Sequence, residues 1–112
     1  MKTVNYVQQE RFENPHGVDA RMLLDNHHAQ VIHISLQPGE SLKKHVTPVD
    51  VFFYILQGTG VVEIGDEQQE VGPETLVDSP AKIPHRWRNE GTEVCRIMVV
   101  KTPRPQAKTR ML

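Results

Sequence analysis

Six histidines and a single cysteine carry most of the reactive chemistry in this 112-residue chain. His45 and His85 stand out because each has a potential helper two residues on: Thr47 follows His45, and Trp87 follows His85. Residues two apart on a strand share a face, so each pair looks the same way if its segment is extended. A pair of imidazoles in an apolar chamber titrates near neutrality. It can orient a small polar ligand or act on it as acid and base.

The remaining candidates have blander explanations. His27 and His28 adjoin the turn Asp25-Asn26, and His16 lies between Pro15 and Gly17, so all three are expected to be solvated loop histidines. Lys43 and Lys44 precede His45 and could attract an anion, although such pairs are most often simply hydrated. Cys95 has no base or cation beside it to form thiolate and is expected to be a small packing residue, on either face of its strand.

Short strands must position these side chains. Apolar or alternating runs occur at Val18–Leu24, Val31–Leu36, Val51–Leu56, Val61–Ile64, Gln68–Val71, Thr75–Asp78, His85–Arg88 and Val94–Lys101. Turn residues separate them at Asp25-Asn26, Pro38-Gly39, Gly58-Thr59-Gly60, Gly65-Asp66, Gly72-Pro73, Ser79-Pro80 and Glu90-Gly91. No segment holds a helical stripe for three turns. The pattern predicts an all-β sandwich or barrel with little helix, because a closed or double-layered sheet hides its strand edges.

At this length one core is expected, hence one domain. Within it, residues 1–30 supply N-terminal strands, 31–102 the barrel core, and 103–112 a basic tail with two prolines. That tail is expected to be extended, either disordered or laid along a neighbouring subunit. The formal net charge is −1 and the basic residues are scattered, which argues against a nucleic-acid partner. A polar N-terminus and the lack of a long apolar run argue against a leader or a membrane span, and a lone cysteine fits the cytoplasm.

One constellation resembles a known family. Gly39, His45, Thr47, Val51 and Gly58 follow the spacing of the first cupin motif, with the outer glycines and first histidine in place. Thr47 stands where that motif has its second histidine, and Val51 where it has glutamate. Pro80, His85 and Asn89 follow the second motif, with Lys82 at a position where glycine is usual. The chain thus resembles a small single-domain cupin, an RmlC-like jelly roll, over roughly its middle half.

The resemblance implies a jelly-roll β-barrel whose motif histidines converge on a divalent metal: iron, manganese, zinc or nickel. His45 and His85 carry over as ligands. Threonine is a weak ligand and valine none, so the site is depleted, since a catalytic centre usually needs three protein ligands and an open position. His33, six residues before Gly39, is the candidate third ligand or a partner of one. Strand parity leaves open whether it faces the cavity or the surface. Asp50 could replace the missing carboxylate only through a bulge at Pro48.

The pocket is expected to be lined by Thr47, Val51, Phe53, Trp87 and Met98. The expected function is binding of, or action on, a small organic molecule, with weak metal binding. The alternative is a metal-free binding module without turnover. Cupins commonly pair back to back, so a homodimer using Phe52, Tyr54 and the tail is also implied.

Overall fold

The computed structural model describes all 112 residues. Ten strands follow a short 3₁₀ turn at Tyr6–Gln8: β1 (Asp19–Asp25), β2 (Gln30–Leu36), β3 (His45–Val46), β4 (Val51–Gln57), β5 (Gly60–Ile64), β6 (Glu67–Val71), β7 (Leu76–Ser79), β8 (His85–Arg88), β9 (Cys95–Lys101) and β10 (Arg110–Met111). They form two antiparallel five-stranded sheets, ordered β1-β2-β9-β4-β7 and β10-β3-β8-β5-β6. This is the expected all-β jelly roll. No helix is long and apolar enough to cross a membrane.

The alternation in the sequence fixes which faces meet. Val51, Phe53 and Ile55 of β4 and Cys95, Ile97 and Val99 of β9 are buried, while the residues between them are partly exposed. Trp87 of β8 and Leu36 of β2 complete the centre of the core with no exposed surface. Each side chain of this size contributes about 1.5–3 kcal/mol when fully buried.

Two loops are held for reasons that the motif spacing anticipates. Gly58 has φ +74°, and a Cβ there would strike the Val94 carbonyl, so the β4–β5 turn requires glycine. Asn89 is buried and donates from Nδ2 to the carbonyls of Leu36 and Glu93, both at 2.8 Å, while its Oδ1 accepts from the Gly91 amide at 3.0 Å. It ties the end of β8 to the ends of β2 and β9.

The tail departs from expectation. It crosses from β9 in one sheet to β10 in the other, where Arg110 pairs with Val46 and Met111 with His45. Arg104 anchors it on the way through an exposed ion pair with Asp25 at 2.7 Å. Two short strands, β3 and β10, were invisible as sequence runs because a two-residue strand has no period of its own.

Candidate functional site

Between the sheets lies a cavity of about 440 Å³, in the usual range for small-molecule sites. Its apolar wall comes from Ile32 and Ile34 on β2, Val51 and Phe53 on β4, and Val99 on β9. The segment Phe12–Val18 and tail residues 105–109 complete the enclosure.

His45 and His85 face each other in register on β3 and β8, with ring centroids 4.5 Å apart and edge to face. Both line the cavity. His85 Nδ1 shares a hydrogen bond with Ser79 Oγ at 2.7 Å, and its Nε2 lies 3.4 Å from Thr47 Oγ1. Phe53 packs its ring against His85 with centroids 5.4 Å apart.

A third imidazole joins them. Asn14 donates from Nδ2 to the Val18 carbonyl at 2.8 Å and accepts the His16 amide at 3.1 Å, folding the turn that delivers His16 to the cavity wall. The His16 and His45 rings lie 4.8 Å apart. His16, expected to be solvated, is therefore part of the site.

Backbone contacts dictate the tautomers of this pair. The Lys43 amide donates to His16 Nδ1 at 2.9 Å, so the neutral His16 ring carries its proton on Nε2. The Lys43 carbonyl can only accept, and His45 Nδ1 lies 2.6 Å from it, so His45 carries its proton on Nδ1 and keeps an Nε2 lone pair.

Burial keeps these rings neutral. It lowers the His16 pKa to about 4, helped by the repulsion His16 would meet from Lys101, Lys43 and a protonated His45. It lowers that of His85 to about 3, helped by His45, Lys101 and His16. His45 is also lowered by burial, with the Lys43 carbonyl opposing the shift. Lys101, on the cavity wall, is lowered by burial as well.

Among the remaining expectations, Thr47, Val51 and Phe53 line the cavity, but Trp87 and Met98 do not. Trp87 lies deeper, against Phe53 and Gly60, where its size fills the core. Met98 pairs across the sheet with His33 and Tyr54 on the opposite face from Val99. His33 shares that outer face, because Ile32 and Ile34 take the inner one.

His33 is buried there beneath the Tyr6 ring, stacked at 3.9 Å, and its Nε2 accepts from Arg96 Nε at 3.1 Å. With that lone pair engaged and the sheet in between, it cannot join His45 and His85. Asp50 is exposed and accepts the Ala81 amide at 2.8 Å, away from the cavity. Cys95 is fully buried with its thiol pushed up to about 11 by burial, as befits a packing residue.

The donor set does not fit a resident divalent metal. No three histidine, cysteine, aspartate or glutamate side chains are grouped to hold one. His16 offers an N–H where a ligand must offer a lone pair, and the Lys101 ammonium lies on the same wall.

Comparisons with known proteins agree with the fold. Residues 32–101 match the family model described as the cupin domain. A crystal structure from Thermus thermophilus is 29% identical, with a TM-score of 0.81 over 94% of this chain and 100% of that one. The polyketide cyclase RemF from Streptomyces resistomycificus is 21% identical, with a TM-score of 0.85 over 100% of this chain and 85% of that one. An RmlC-like cupin with a double-stranded β-helix fold from Methanocaldococcus jannaschii is 23% identical, with a TM-score of 0.76 over 88% and 91% of the two chains. A comparison with curated proteins finds no match. The matched model spans more than half of the chain, and this protein belongs to the cupin family.

Proposed function

We propose that the barrel cavity receives a small organic molecule directly on its histidines, without a resident metal. One observation carries this reading: Lys43 holds His16 as an N–H donor and His45 as a lone-pair acceptor on the wall of one apolar chamber. Such a pair recognises a ligand with an acceptor and a donor, for example a hydroxyl beside a carbonyl. The same pair can shift a proton within a bound carbonyl compound: the His16 N–H polarises the carbonyl oxygen by hydrogen bonding, while His45 takes the proton from one position and returns it to another. The polyketide cyclase among the structural neighbours is an enzyme on this barrel, so the fold is compatible with turnover.

The test is ¹⁵N spectroscopy of the imidazoles at pH 7. His16 is expected as the Nε2–H tautomer and His45 as the Nδ1–H tautomer. Neutral hydroxyaryl ketones should shift the signals of His16, His45 and His85 and leave exposed His27 and His28 unchanged. Fragments that perturb none of the three cavity rings would overturn the reading.

A further inference from the structure

We infer that the ligand is a small organic acid whose carboxylate meets the Lys101 ammonium; this names the ligand class and rests on the cavity being a small-molecule site. Lys101 ends the inward series Ile97, Val99, Lys101 on β9. Its register partners, Gln30 on β2 and Val51 on β4, line the same cavity. Lys101 is partly withdrawn from solvent and takes part in none of the chain's salt bridges.

The counter-ion does not come from the wall. The chain has 14 acidic residues and not one lines the cavity. The titratable groups facing it are His16, His45 and His85 and, from the exposed part of the tail, Lys108. All are bases. A cation drawn into an apolar chamber without a partner is costly, so Lys101 is half of an ion pair that an incoming anion completes.

The charge and apolar lining of the chamber limit the anion. With the three imidazoles neutral, Lys101 is the one full charge on the sheet wall, and His16 adds an N–H donor. A monoanion balances this. A phosphate dianion would bring a second charge into a chamber walled by Ile32, Ile34, Phe53 and Val99. An apolar body with a single carboxylate suits both ends of the site.

The test compares 2-naphthoate with the nearly isosteric neutral 2-naphthamide by titration calorimetry at pH 7. The wild type should prefer the acid by about tenfold or more. Lys101→Met should abolish the preference, lowering acid affinity far more than amide affinity, and Lys101→Arg should retain it. Lys101→Gln serves if the methionine variant does not fold. Equal affinity for the two probes, or a preference that survives loss of the charge, overturns the acid assignment but keeps the cavity as a small-molecule site. Binding of neither probe overturns both.

Discussion

His16 and His45 present opposite hydrogen-bonding faces because both are tied to one residue: the Lys43 amide donates to one ring at 2.9 Å and the Lys43 carbonyl accepts from the other at 2.6 Å. Neither protonation state is left to solvent. This converts two chemically identical side chains into a donor and an acceptor 4.8 Å apart, centroid to centroid.

Acid should unfold this protein early. In the folded chain burial holds His85 neutral to about pH 3, and His16 and His33 to about pH 4, against an ordinary value of 6.5. Between those limits the unfolded chain binds more protons, so the stability is complete above pH 6.5 and is lost as pH falls. The fully buried His33 and His85 should each cost about 3 kcal/mol by pH 4. Calorimetric melting from pH 7.5 to 4 should show a steep fall in Tm; a flat profile would contradict the burial of these rings.

Asn89→Ala should destabilise by about 2–4 kcal/mol, because it strands the Leu36 and Glu93 carbonyls and the Gly91 amide. Asn89→Asp, of the same shape, should be no better at neutral pH, since it turns a carboxylate oxygen toward two carbonyls. Urea titration measures both. A near-neutral Asn89→Asp would mean that shape, not donation, holds the β8 end.

Deleting residues 103–112 should open the cavity without unfolding the barrel. The tail contributes a two-residue strand and an exposed ion pair, and neither is a large source of stability. The truncated chain should keep its β-sheet circular dichroism, bind anilinonaphthalene sulfonate more strongly, and exchange the amides of His45 and Val46 faster. Global loss of structure would make the tail part of the core.

Dialysis against iron, manganese, zinc or nickel should leave well under about a tenth of an equivalent bound, given two facing imidazoles and no group of three candidate ligands. Stoichiometric retention by plasma mass spectrometry, lost in both His45→Ala and His85→Ala, would instead establish a metal centre.

The barrel was legible from the chain because its causes are local. Alternation along Val51–Leu56 and Val94–Lys101 marks strands, and glycines and prolines mark the turns between them. The cupin motif spacings single out His45 and His85, which stand in register on β3 and β8. That alternation could also have drawn attention to Lys101, which keeps step with Ile97 and Val99.

Tertiary structure decided the rest. A strand's period of two defines two faces but not which one is inside, so His33 and Met98 went to the outer face only when Ile32, Ile34 and Val99 met the opposing sheet. His16 gave no signal as a site residue. Its turn is drawn to the cavity by a hydrogen bond from Lys43, 27 positions along the chain. Residue types and periodicity determine the strands and their possible partners. The site itself is set by contacts between distant segments, which exist only once the two sheets have closed.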